Sequence, residues 1–434
     1  MCSTRSLLGI IVPLLVAAAV NAQPLRPELE ARLQRSIDSI RAERGLPGVC
    51  ASVLLRGEGV WRGCAGISHA GMPLRAEMVF GIGSNSKLFT AVAMLRAAEA
   101  GLLDVEDTVG AWLPPHANIG AGITLRQLLN HQSGLADVNA IPGYQDSVLR
   151  DPERVFTREE VLAWVGPPHF APGTSWEYSN TNYLLAGMIV ERATGRGLAA
   201  LLREDILAPL GLDSTTLPPD EEVVGVVAHP WAQGGDIFAV SRNALHSAAW
   251  CAGAMFSSSG DMARCYDALF AGRVLGAESM REMTTFVGSG EYGFGISRRI
   301  ENGRTLWVHG GSIRGYSSFM LYDSAQALTI CVLVNATQVP AQAIALRLLE
   351  VLSATPTGIT RVDSAPPTPR LYPNPASTVL HVRDVHGWLR VYDLLGALRW
   401  EGLIDGGESI PVAHWPRGMY VLRSAHSSFT FMKL

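Results

Sequence analysis

Strand-like segments sit far apart in this chain. GVCASVLLRGEGVWRGCAG occupies residues 48–66, whereas YGFGISRRI, TLWVHGG, GYSSFMLYD and QALTICVLVNA all fall between residues 292 and 336. Each is rich in β-branched and aromatic residues and bounded by turn formers, the pattern of short strands. The text between the two groups is mainly helical up to about residue 270. Within it, Thr157 and Glu160 form a T-x-x-E capping box, and NYLLAGMIVERATG is closed by Gly195. An opening helix carries Leu29, Leu33, Ile37 and Ile40 at helical spacing, and another spans about 342–352. Helix, hairpin, helical insert, strands and helix, in that order, predict an α/β (α+β) domain. Its sheet is built from both ends of the segment, with a helical domain inserted between.

Three flanking regions read differently. Residues 1–22 combine Arg5, an apolar run from Leu7 to Val20 and the small-residue end Val20-Asn21-Ala22, which predicts a signal peptide cleaved before Gln23. The run is broken by Gly9 and Pro13 and is too short for a membrane span, and no other segment is long and apolar enough. Residues 23–353 form the main domain. Residues 354–370 are rich in proline and threonine and lack an apolar period, so they read as a linker. Residues 371–434 alternate short strands with glycine turns and predict a small all-β sandwich.

A formal charge of -4 points to no nucleic-acid partner. An exported chain meets an oxidising compartment, and the hairpin at 48–66 places Cys50 and Cys64 nearly opposite, which predicts a disulfide. Cys251 and Cys265 form a weaker second pair, and Cys331 in LTICVLV reads as a buried small hydrophobe.

The chain has only two lysines, Lys87 and Lys433, in a combined Lys+Arg total of 35. Lysine, unlike arginine, can lose its proton when buried. In Ser84-Asn85-Ser86-Lys87 the first and last side chains lie three apart at a helix start, so a neutral Lys87 could take the Ser84 proton and make it a nucleophile. Tyr178-Ser179-Asn180 precedes a helix, and His309-Gly310-Gly311 ends a strand. There is no HExxH, G-x-S-x-G or paired C-x-x-C, so no metal or cofactor is expected.

With these three motifs in order, residues 25–352 resemble the serine β-lactamase and penicillin-binding protein family, in its class C β-lactamase, D-peptidase and esterase branch. ITLRQLLNHQSGL, APLGLDSTTL and FSSSGDMARC add to the likeness. The resemblance implies an antiparallel sheet flanked by helices and a hydrolase working through an acyl-enzyme. By position it implies Ser84 as the acylated nucleophile, Lys87 as its activating amine, Tyr178 as a proton shuttle and Asn180 as the group that holds Lys87 and the substrate. Ser84 and Ser312 would supply the oxyanion-hole amides, and His309, Gly310 and Gly311 would line the substrate. His131 reads as structural, and residues 136–170 as one wall of the cleft.

The family's penicillinases carry lysine and a hydroxyl residue where this chain has His309 and Gly310. A weaker hold on carboxylates follows, favouring esters or D-amino-acid-containing peptides and amides over penicillins. A β-lactamase or DD-carboxypeptidase proper is one alternative; a non-catalytic binder of peptidoglycan-like ligands is another. YPNPAS, VYDLLG, PRGMYVLR and the terminal Lys433 resemble a type A sorting domain of the type IX secretion system. That implies export to the exterior or outer surface of a Gram-negative cell.

Overall fold

The computed structural model describes residues 23–337, 341–354, 370–372, 375–393, 397–423 and 428–433. The expected signal segment, and nearly all of the expected linker, lie outside these residues. The chain divides into two compact units, Met1–Thr355 and Pro356–Leu434.

The first unit opens with α1 (Pro27–Glu43), which buries Leu29, Leu33, Ile37 and Ile40. Gly45 stops it in the left-handed region at φ +60°. Strands β1 (Gly48–Leu55), β2 (Gly59–His69) and β3 (Met72–Pro73) follow, then helices α2 (Ser86–Glu99), α3 (Asn180–Thr194), α4 (Asn243–Gly253) and α5 (Ser259–Phe270) among shorter elements. The expected Thr157–Glu160 capping box is present, and Gly195 caps α3 in the left-handed conformation. Strands β4 (Ser297–Glu301), β5 (Arg304–Ile313), β6 (Tyr316–Asp323) and β7 (Leu328–Val334) precede α6 (Ala341–Ser353).

All seven strands form one antiparallel sheet in the order β3-β2-β1-β7-β6-β5-β4. Its centre is the junction of β1 with β7, running from Val49 opposite Val334 to Leu55 opposite Leu328, so the two ends of the domain meet there. Alternate residues sort to opposite faces, as the period of a strand requires. Val49, Ala51, Val53, Ile330 and Val332 join α1 and α6 in one core. Cys50, Cys331, Leu333 and Met320 face the larger core that holds α2 to α5. The helical part thus closes over one face of the sheet within the same compact unit.

Cys50 stands directly opposite Cys64 in the β1–β2 register, and the two are disulfide-bonded with Cα atoms 4.1 Å apart. The expected second pair is not formed: Cys251 and Cys265 are free and buried. Cys251 is held against α3, where its Sγ donates to the Tyr183 carbonyl at 3.1 Å. Cys331 is buried and free, as read.

The second unit has β8 (Arg370–Tyr372), β9 (Val379–Asp393), β10 (Leu398–Pro411), β11 (Gly418–Arg423) and β12 (Ser428–Lys433) in one five-stranded sheet. Leu380 and Val382, Leu389 and Val391, and Tyr420 and Leu422 alternate into a small core with Trp415 and Phe431.

Closing a loop of this length by a cross-link stabilises a fold by about 3 kcal/mol. Replacing both Cys50 and Cys64 with serine should therefore lower the urea midpoint by the corresponding amount, with two fewer oxidised thiols by mass. An unchanged midpoint would contradict a structural role for the bond.

Candidate active site

Phe80 and Gly81 pair with Ser257 and Phe256, and the chain then enters a 3-10 turn, Gly83–Asn85, that runs straight into α2. Ser84 sits on this turn, and its neighbours pin it. Ser86 Oγ donates to the Gly83 carbonyl at 2.7 Å and accepts from Met255 N–H at 3.1 Å. Asn85 Nδ2 donates to Ser318 Oγ at 2.8 Å, which donates to the Ile82 carbonyl at 2.6 Å. The Ser84 hydroxyl itself is left facing the cleft, partly exposed.

One turn on, Lys87 is wholly buried. Its Nζ lies 2.7 Å from Asn180 Oδ1, 2.7 Å from the Ala252 carbonyl and 3.2 Å from Ser84 Oγ. The two short partners are carbonyl oxygens, which can only accept, so they fix two N–H bonds. A neutral amine held by those two bonds directs its lone pair at the remaining neighbour, the Ser84 hydroxyl, which can donate.

Both acceptors are themselves held. Asn180 Nδ2 donates to the two carboxylate oxygens of Asp137 at 3.1 Å, and its backbone N–H donates to Asp137 Oδ1 at 3.1 Å, which turns the amide oxygen toward Lys87. Ala252 follows a break in α4, where Trp250 adopts φ +36° and ψ -130°. This non-helical residue releases the next carbonyls toward α2: Cys251 O accepts from Thr90 Oγ1 at 3.0 Å, and Ala252 O accepts from Lys87. The strained conformation is clamped from outside. Trp250 Nε1 donates to Asp220 Oδ2 at 2.6 Å, and the Arg158 guanidinium, paired with Asp220, lies 4.1 Å from the Trp250 ring centroid.

Burial lowers the Lys87 ammonium from 10.5 to about 7, against the pull of the Asp137 carboxylate. Burial likewise pushes the Tyr178 phenol upward, with a hydrogen bond to the Ser84 side chain opposing it, so Tyr178 stays protonated at neutral pH. Its ring centroid lies 4.9 Å from Lys87 Nζ. Behind it, the buried His131 ring packs 4.4 Å from Tyr178 and 4.5 Å from Tyr292 between centroids. His131 Nδ1 accepts from Ser179 N–H at 3.2 Å and from the Asn182 amide at 3.0 Å. Burial, then the Lys87 charge, holds it neutral, so it supports Tyr178 and the Ser179–Asn180 backbone, the structural part read for it.

The third motif lies on β5. Tyr316 opposes Ile313 across a two-residue turn, so they form the hydrogen-bonded pair and Ser312 belongs to the next, non-bonded one, its N–H directed away from β6. That side is open beyond Val308, where β4 ends its pairing, and the Gly83 backbone fills it. A side chain on Gly83 would come within 2.5 Å of Ser312 N, and Gly83 has φ +54°. Glycine is required there on both counts, and it brings the Ser312 amide beside the Ser84 turn. Gly311 is similarly confined, 2.0 Å from a would-be overlap with the Ile82 carbonyl, whereas Gly310 is exposed.

His309 is turned inward. Tyr292 O–H donates to its Nε2 at 2.8 Å, and its Nδ1 donates to the Gly310 carbonyl at 2.7 Å. Burial foremost, then the Lys87 charge, pushes it down to about 3, so the imidazole is neutral. What β5 presents at this point is backbone, with no charge.

Gln132, Thr174, Trp176, Gly288 and Ser289 line a groove of about 330 Å³. It borders the site: the Trp176 ring centroid lies 6.2 Å from that of His131 and 6.3 Å from that of Tyr292. Among the described residues, no group of three or more His, Cys, Asp or Glu is placed to hold a metal ion. The structure therefore brings Ser84, Lys87, Tyr178, Asn180 and Ser312 together. Sequence reasoning missed Asp137, Tyr292, Gly83 and the Trp250 break; only the glycine immediately before the serine offered a signal.

A family profile described as Beta-lactamase matches residues 33–354. The chain is 36% identical to Esterase EstB of Burkholderia gladioli over 202 residues, which is 42% of this chain and 50% of that protein. It is 27% identical to D-aminopeptidase of Gluconobacter oxydans over 322 residues, 70% of this chain and 59% of that one. The matched regions thus cover about half or somewhat more of these relatives' length. Among solved structures, D-stereospecific amidohydrolase from Streptomyces sp. is similar with a TM-score of 0.66 and 29% identity, over 76% of this chain and 99% of that chain. D-amino acid amidase from Ochrobactrum anthropi SV3 gives a TM-score of 0.67 and 26% identity, over 75% and 98%.

With two lysines in the chain, labelling lysine Cε with carbon-13 yields one resonance for each. One should titrate with a midpoint near 7 and be absent from Lys87→Arg. Two resonances that both titrate above about 10 would contradict the neutral amine.

Proposed function

The chain belongs to the beta-lactamase family over residues 33–354, and from that premise we propose that it is a serine hydrolase that forms an acyl-enzyme at Ser84. Its substrates are esters or D-amino-acid-containing peptides and amides. The observation that carries this reading is the lone-pair geometry at Lys87, an amine lowered to about 7 and aimed at a hydroxyl 3.2 Å away.

Lys87 takes the Ser84 proton as Oγ attacks the acyl carbonyl, and charge developing on the carbonyl oxygen meets the Ser84 and Ser312 N–H groups. Tyr178, held protonated, hands a proton to the leaving group and is replenished from the Lys87 ammonium. In the second half the same pair takes a proton from the attacking water and returns it to Ser84 Oγ as the ester bond breaks, which releases the acid and restores the free enzyme. Asn180 positions the amine and offers its amide edge to the substrate, while Gly310 and Gly311 let the substrate lie against backbone.

The neutral His309 bears on the choice among family activities. With no cation on β5 beside the scissile bond, a penicillin carboxylate gains little there, which supports esterase or D-amidase chemistry over β-lactamase or DD-carboxypeptidase action. The similarity to an esterase and to D-aminopeptidases supports the same choice. A non-catalytic binder would have no use for a buried, strained arrangement that costs stability to keep an amine neutral.

For the second unit we infer export. The signal-like first residues, the sorting-domain motifs and an independent small core support delivery through type IX secretion to the cell exterior or surface. Residues 371–434 fused to a reporter in a type IX-competent cell should carry it outside; a reporter retained in the periplasm would contradict this.

Release of p-nitrophenol from a short-chain p-nitrophenyl ester tests the hydrolase reading. Ser84→Ala should lose at least roughly a thousandfold in kcat, and Lys87→Arg should lose at least about a hundredfold because its base cannot be neutral. The wild-type rate should fall as pH drops below about 7, where Lys87 gains its proton. Equal rates in all three proteins would sink the proposal.

A further inference from the structure

A second, smaller cavity lies between the start of α4 and the turn that ends β5. Its walls include Leu149, Ile237 and Val240, but also Arg242 and Arg314. Both arginines are half-buried. The Arg242 guanidinium lies 5.1 Å from the Tyr316 ring centroid and donates to the Arg314 carbonyl at 3.4 Å.

Among the described residues, no ion pair joins Arg242 to a carboxylate. Burial lowers the Arg242 guanidinium and Arg314 lowers it further, with only the Tyr316 phenol opposing; no carboxylate acts on it. Glu153, the nearby acid, accepts instead from Ser241 Oγ at 2.9 Å and Asn243 Nδ2 at 3.2 Å. Some other half-buried arginines meet a carboxylate, Arg158, Arg203 and Arg304 pairing with Asp220, Glu221 and Asp323, whereas Arg96 donates to the Val274 carbonyl. Two like charges sharing a shielded, aliphatic-walled cleft oppose each other and are stabilised by an anion between them. Guanidinium forks match a carboxylate in particular.

Position sets the reach. Arg314 follows Ser312 by two residues, at the turn that ends β5, so the two Cα atoms are at most about 7 Å apart. The cavity volume is about 20 Å³, room for roughly one or two water-sized groups, which suits a carboxylate head whose alkyl stem lies along Leu149 and Val240. We propose that Arg242 and Arg314 form an anion subsite that takes a carboxylate on a substrate chain, some four methylenes from the scissile carbonyl. This rests on the hydrolase reading above. It moves the positive charge missing at His309 to a more distant point, so the enzyme would select a carboxylate by its distance from the reacting bond.

The test compares p-nitrophenyl hexanoate with mono-p-nitrophenyl adipate, equal in chain length and differing in a terminal carboxylate. The wild type should favour the adipate in kcat/KM by roughly tenfold or more, chiefly through KM, and the ratio should fall toward one in Arg242→Gln and in Arg314→Gln. A wild-type ratio at or below one, or a ratio that survives both substitutions, overturns the subsite. Arg314 lies on a turn, so its variant serves even where Arg242→Gln does not fold. If the wild type cleaves neither ester, the esterase half of the hydrolase reading fails and free adipate judges the pocket alone. It must raise the Tm of the wild type and not of Arg314→Gln; no shift, or equal shifts, overturns the proposal.

Discussion

Everything around the site follows from burying one amine. Water would hold Lys87 charged, so the fold must remove water and still leave no N–H bond unmet. It does so with two carbonyl oxygens, each aimed by a separate device: Asp137 orients the Asn180 amide, and the Trp250 break turns the Ala252 carbonyl out of its helix. Lowering the group from 10.5 to about 7 costs on the order of 4–5 kcal/mol of folding free energy at neutral pH. The sign is that of a depressed lysine: the unfolded chain holds a proton that the buried amine sheds. Stability therefore rises with pH between about 7 and 10.5, and this contribution is unfavourable below. A site that spends stability in this way is one in which the neutral form matters.

The same electrostatic logic governs β5. A cation at His309 would lie close to Lys87 and push its proton off further, yet burial keeps the imidazole neutral, with the Lys87 charge adding to the effect and the Gly310 carbonyl opposing it. Only one amine in the buried shell changes charge near neutral pH, and its neighbours Tyr178, His131 and His309 are all held uncharged. Proton movement can then be read as traffic between Ser84, Lys87 and Tyr178 alone. The glycines complete the geometry by letting backbone meet backbone at Gly83 and Ser312.

Much of this was legible in the residues. Separated strand groups predicted a sheet closed from both ends, and β1 and β7 are buried on both faces, as strands at the centre of a covered sheet are. Cys50 and Cys64 were readable because a short hairpin fixes register locally. The scarcity of lysine pointed to Lys87 for a chemical reason, and the spacing to Ser84 is a helical one. Asp137 and Trp250 were not readable. Asp137 acts from a loop 43 residues before Asn180, and a tryptophan in a helical stretch carries no sign of positive φ. Cys251 and Cys265 misled because proximity in sequence says nothing of helix faces: Cys251 points at α3 instead. Arg242 and Arg314 meet only through the tertiary fold.

The most direct measurement is the site of acylation. The protein would be mixed with a p-nitrophenyl ester, quenched in acid during turnover, digested and read by tandem mass spectrometry. The account predicts a first-turnover burst of about one p-nitrophenol per chain and the acyl mass on Ser84. Turnover with the acyl group on another residue, or with no covalent adduct and no burst, would contradict it.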